Sequence, residues 1–249
     1  MLTIFCLCLA WGMIASLLIL PAAQVHPRFF RVQYLIALGL LATLVFFPSG
    51  QMHPKNALVF WLGAVICCIF GSIVWSLDKA PYADLMPWAT MIFLTLAIGN
   101  TSAIRHSDDK AMALTNAFTS AALLGSSMSA MLMGHSYLVA PAMSLTPLMR
   151  LLAAMGLSLV LRVVLAAIGL FQWTDQAGPD GLDFENVLWL SLRWAVGFVA
   201  MLILGWMAWE SARIRSTQSA TGILYVVVIV CFLGELTSQF LTMKTGFTL

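Results

Sequence analysis

The chain has 249 residues, 61% of them hydrophobic and only 9% charged. That composition is far from soluble averages and excludes a soluble domain of any size. A net charge of +2, scattered along the chain, excludes a nucleic-acid partner. The expectation is an all-α integral membrane protein, a single transmembrane helical domain over residues 1–249, built as a bundle of about eight helices in a lipid bilayer.

A spanning helix needs about 20 apolar residues, and eight segments approach that length. Leu2–Leu20 has no basic stretch before it and no small-residue cleavage site, so it reads as a retained helix rather than a removed signal peptide. Pro21 ends it, and a loop with His26, Arg28 and Arg31 follows. Tyr34–Phe47 is a short second span, closed by the turn signal Pro48-Ser-Gly. Ala57–Trp75 is the third. Leu85–Ile98 is the fourth, with Pro87 in its first turn, where a missing N–H does little harm. A polar loop, Thr101–Lys110, leads to a fifth span from about Ala111 to Tyr137. Pro147–Phe171 is the sixth, Val187–Trp209 the seventh and Gly222–Met243 the eighth. The loop Thr174–Asn186 is acidic, and Glu210–Ala220 is basic and rich in Ser and Thr. No clean internal repeat is legible, and the alternation of an outer-membrane barrel is absent.

The odd-numbered loops hold Arg28, Arg31, Lys79, Arg150, Arg213 and Arg215, whereas the even loops and tail hold Lys55, Arg105, Lys110 and Lys244. The excess on the odd side places both termini outside. Trp75, Trp88, Trp173, Trp206 and Trp209 fall near span ends, where interfacial anchors sit. The five cysteines lie in apolar segments without metal-ligand spacing, so neither a disulfide framework nor a metal site is expected.

The fifth span differs from the others in being small and polar along its length. Asn116, Ser120, Leu124, Ser127, Met131 and His135 follow steps of three and four and share one face. Small residues let helices approach closely in a bilayer, so this face points into the bundle. It is either a close-packed central helix or a working polar track that ends at His135.

Three charges fall inside spans: Arg162, Arg193 and Glu235. Each costs at least about 2.5 kcal/mol at a helix centre and should face the bundle with a partner. Counted along their own helices they lie in the same half of the membrane, with Asn116, and Gln239 is one turn beyond Glu235. The group is either an interhelical salt bridge that fixes packing, or a polar pocket for a quinone, lipid headgroup, transported solute or proton relay; independent lipid-facing placement is the third option. In the opposite half, His135 and Tyr137 end span five, and Arg150 begins span six. Charges at helix ends snorkel to the interface. His135 is expected to be buried by the apolar run around it and to titrate near neutrality, as a quinone partner or proton carrier. A haem would need a second axial ligand, and His26, the remaining histidine on that side, lies in a loop; haem is not expected.

The last helix carries a family resemblance. LYVVVIVCFLGELTSQFLTMKTG, Leu224–Gly246, resembles the final helix of the quinone-reactive membrane anchors of molybdopterin oxidoreductases, the dimethyl-sulfoxide-reductase-anchor and polysulfide-reductase-anchor group. There a small residue and Glu precede an apolar stretch; Gln239 stands here where a basic residue is common. The resemblance implies an electron-transfer subunit that binds a quinone but no haem, works with partner subunits and sits in a bacterial inner membrane. A small-solute or ion carrier and a structural or assembly subunit are the competing classes. A secondary transporter usually shows paired broken helices and repeat symmetry, and neither is legible.

Overall fold

The computed structural model of the protein describes residues 1–46, 56–77, 83–101, 104, 109–140, 143–177 and 183–247. Among them the regular structure is helical. Eight rods follow in order: α1 Leu2–Ile19, α2 Pro27–Phe46, α3 Asn56–Val74, α4 Met86–Gly99, α5 Lys110–Val139, α6 Thr146–Ala177, α7 Phe184–Arg213 and α8 Thr217–Thr245. A short 3₁₀ turn, Ala83–Leu85, leads into α4. The Pro48-Ser-Gly turn and the loop charges Lys55, Lys79 and Arg105 lie outside the described residues.

Local chemistry sets the helix ends. Asp109 caps α5, its side chain accepting from Met112 N at 3.0 Å. α2 begins at Pro27, seven residues before the sequence reading, because a proline fits the first helical turn, where its fixed φ is already helical and no N–H is needed. Arg28 and Arg31 therefore stand on its exposed first turns rather than in a loop. α6 runs six residues past Phe171, through Thr174 and Asp175. The loop expected between spans seven and eight shrinks to a tight turn around Arg215, at φ 60°, before α8 starts at Thr217. Gly246, at φ 80°, ends α8 in the left-handed conformation that glycine adopts without steric cost.

Five helices, α1 and α5 to α8, are long and apolar enough to cross a membrane, the mark of an integral membrane protein. The apolar stretches of α3 and α4, Leu58–Val74 and Ala83–Gly99, are shorter. Outward faces are apolar too: on α3 Val59, Leu62, Ile66, Phe70 and Ile73 are exposed at helical spacing, and on α6 Leu157, Val160, Val164, Ile168 and Phe171. Water would not tolerate such continuous stripes, and lipid does.

The helices close two rings of four. In the first, α1 packs on α2 and α4, and α3 joins them. In the second, α5 packs on α6 and α8, and α7 joins those two. The seam between rings is α1 against α5. Cys8 Sγ meets Ala117 O at 3.5 Å, and Gly12 lies against Ala121 and Gly125, so the two helices run parallel. A Cβ on Gly12 would fall 1.7 Å from Ala121 O, and one on Gly125 1.9 Å from the carbonyl carbon of Gly12. The small residues of α5 thus serve a backbone-to-backbone crossing. Trp75 and Trp173, expected as interfacial anchors, are turned inward: Trp75 stacks on Phe30 at 4.1 Å, and Trp173 packs with Leu241.

Candidate functional site

Each helix of the second ring contributes to one buried polar cluster. α5 brings Asn116 and, one turn on, Ser120; α6 brings Arg162; α7 brings Arg193; α8 brings Glu235 and Ser238. Arg162, Arg193 and Glu235 are each at most 2% exposed. Such charges persist in an apolar interior only when paired, and the pairing here is dense. Glu235 Oε1 accepts from Arg162 Nε at 3.1 Å and from Arg193 Nη2 at 3.2 Å. Glu235 Oε2 accepts from Arg162 Nη2 at 2.8 Å and from Ser120 Oγ at 2.5 Å. Arg162 thus grips the carboxylate with two parallel bonds, the fork geometry that a guanidinium offers and an ammonium does not. Its Nη2 also donates to Ser238 Oγ at 3.0 Å, and its Nη1 donates to Asn116 Oδ1.

Arg193 is held differently. Its guanidinium lies over the Phe198 ring, 4.2 Å from the centroid, a cation–π contact. Its Nε has no hydrogen-bond partner among the described residues. Two glycines make its room. A Cβ on Gly234 would lie 2.6 Å from Gly197 Cα and 3.2 Å from Arg193 Nη1, so α7 and α8 meet backbone to backbone beside the guanidinium. At Arg193 the helical ladder of α7 widens to a π-helix, Arg193–Ala200. Such widened turns recur at functional positions in helices. Two arginines against one glutamate leave the cluster with a surplus positive charge.

The structure therefore brings together Asn116, Arg162, Arg193 and Glu235, as their depths suggested. Gln239 stands apart: its Oε1 is buried without a partner among the described residues, and Ser238, at the neighbouring helical step, takes the contact with Arg162. The candidates of the opposite half, His135, Tyr137 and Arg150, are not brought together among the described residues. His135 is exposed, contrary to the burial expected from its apolar neighbours; it sits one turn before the C-terminal end of α5. Tyr137 is fully buried, and its hydroxyl donates to Ser144 O at 2.5 Å, closing the α5–α6 turn. Arg150 is exposed and donates to Ile19 O at 3.3 Å, tying the end of α1 to the start of α6. Tyr137 and Arg150 thus make separate contacts at helix ends.

Ser120 is one step of four from Asn116 on the face read from the sequence; Ser238 was missed, although its step of three from Glu235 was the signal that could have found it. Phe198, Gly197 and Gly234 were not, because nothing in one sequence says which glycines of two helices meet. Among the described residues no group of His, Cys, Asp and Glu is arranged to hold a metal ion. No known family, curated protein or solved structure matches the chain.

Proposed function

We propose that this chain is an eight-span subunit of a redox complex in a bacterial inner membrane, and that the Arg162–Glu235–Arg193 cluster meets a quinone head group there. The observation that carries this reading is the cluster's charge: two guanidinium groups against one carboxylate, all buried in the second ring. A quinone supplies two-electron chemistry at its carbonyl oxygens. Surplus buried positive charge favours an oxygen on which negative charge develops, since fixed charges act strongly where water is excluded. Arg193 Nε–H, without a partner among the described residues, is the donor that would hold that oxygen. The resemblance of Leu224–Gly246 to the last helix of quinone-reactive anchors supports the same assignment. With α2, α3 and α4 also crossing, the parallel run of α1 and α5 and the eight-rod count bring both termini to one side, the non-cytoplasmic side on the Lys/Arg excess.

A second reading, a structural or assembly subunit, has its own observation. Each carboxylate oxygen of Glu235 already has two donors, as a packing lock would require. A carrier is less well supported: transporters place their sites at the interface of repeats, whereas the seam here is the Gly12–Gly125 crossing and the charges lie inside one ring. Trp194, next to Arg193 in sequence and packed on Phe198 at 5.2 Å, gives the test a reporter. A short-chain quinone should quench tryptophan fluorescence of the purified protein saturably, and at least about tenfold more weakly in Arg193→Gln, the equivalent of about 1.4 kcal/mol. Non-saturable quenching, or equal quenching in both folded proteins, rejects the quinone reading and leaves the structural one.

A further inference from the structure

Beyond Glu235, the same face of α8 presents Gln239 and Thr242, one and two turns nearer the C-terminal end of the helix. Gln239 Oε1 and Thr242 Oγ1 are buried and have no hydrogen-bond partner among the described residues, and Arg193 Nε is in the same condition. The Gln239 and Thr242 side chains are only half-buried overall, so they reach from the margin of the ring toward its interior. On α6 the positions one and two turns beyond Arg162 are the small, buried Ala166 and Gly169. Beside them Trp173 and Leu241, with Leu170, Trp189 and Phe247 against them, form a separate small apolar cluster.

A buried polar atom left without a partner has lost its hydration and gained nothing in exchange. Three of them on two adjoining helices, next to a buried ion cluster, call for an occupant. An amide oxygen needs a donor, a guanidinium N–H needs an acceptor, and a hydroxyl takes either. Water is the small molecule that meets all three needs, and buried waters make about three hydrogen bonds each. We propose that a file of waters runs along α8 from Thr242 past Gln239 to Arg193 and Glu235, giving the ion cluster solvent access from the end of the bundle at which the chain terminates. The file stands apart from the quinone reading, because a cluster that only locks the fold has the same unpaired atoms. Under the quinone reading the quinone oxygen takes the place of the last water, at Arg193 Nε, and the file is where a proton would enter.

Single cysteines test the file, placed in a background with Cys6, Cys8, Cys67, Cys68 and Cys231 replaced by alanine or serine. A membrane-impermeant methanethiosulfonate, applied to the side on which Lys244→Cys reacts, should modify Gln239→Cys and Thr242→Cys within about tenfold of the rate at Lys244→Cys, since thiol reactivity follows access and ionisation. Leu241→Cys, buried in the apolar cluster with Trp173, should react far more slowly. Gln239→Cys as slow as Leu241→Cys overturns the proposal. If the cysteine background does not fold, the wild-type protein in lipid nanodiscs decides at a resolution that shows water. Ordered waters within hydrogen-bond distance of Gln239 Oε1 and Thr242 Oγ1 support the file, and purely protein partners for both atoms refute it.

Discussion

Glu235 is the residue on which the second ring closes, and Arg162 is its principal partner. Replacing Arg162 by lysine keeps the charge but loses the fork, since one ammonium cannot span both carboxylate oxygens and also reach Ser238 and Asn116. Arg162→Lys is expected to cost about 1–3 kcal/mol in thermal or denaturant unfolding in detergent. His135→Ala should stay within about 0.5 kcal/mol of wild type in the same measurement, as an exposed substitution away from any cap or core contact does. These two residues also mark what the sequence could and could not convey. Arg162, Arg193, Glu235 and Asn116 were legible because a charge inside an apolar span must find a partner, and depth along a helix can be counted. His135 was misplaced because neighbouring apolar residues give no azimuth: one residue's turn separates a buried face from an exposed one, as Gly134 and His135 show.

At the level of the helix, α5 was expected to be central, and it is. The reason differs from the one its serines suggested. Ser126 and Ser127 spend their hydroxyls on carbonyls one turn back, as serine in an apolar helix does. Ser120 alone of these reaches the ion cluster, and the close contact belongs to Gly125 against Gly12. A side chain at either glycine meets backbone, which cannot swing aside. Gly12→Leu should therefore destabilise by at least about 3 kcal/mol or prevent folding, at the upper end of overpacking costs. Gly39→Leu, where a Cβ would meet nothing within 4 Å, should be tolerated. Unfolding midpoints of the two variants side by side check this, and equal losses would remove the seam from the account. Helix existence was readable from hydropathy, but boundaries shifted where local chemistry outweighed it: Pro27 started α2 early, and the Arg215 turn replaced a whole loop.

For the whole molecule, two four-helix rings joined along α1 and α5 were not legible, because the rings share helix order and not sequence. The rings divide the work. Among the described residues the first is joined by isolated bonds between neutral groups, such as Trp11 Nε1 to Thr95 Oγ1 at 2.9 Å, and the second holds the buried ion pairs. The eight crossings proposed above would place both chain ends on one side, so reporter fusions at residue 249 and between residues 174 and 186 should both report the non-cytoplasmic side; a cytoplasmic signal from either breaks the proposed eight-span count or its orientation. The central claim, that the charges of separate helices meet and hold the second ring together, is tested most directly by a double-mutant cycle on unfolding in detergent with Arg162→Met, Glu235→Gln and the pair. Contact between the two side chains predicts a coupling of about 1–3 kcal/mol, with the pair less destabilised than the two single losses together. Losses that add to within about 0.5 kcal/mol would mean that Arg162 and Glu235 do not touch, and the site built on them would fall.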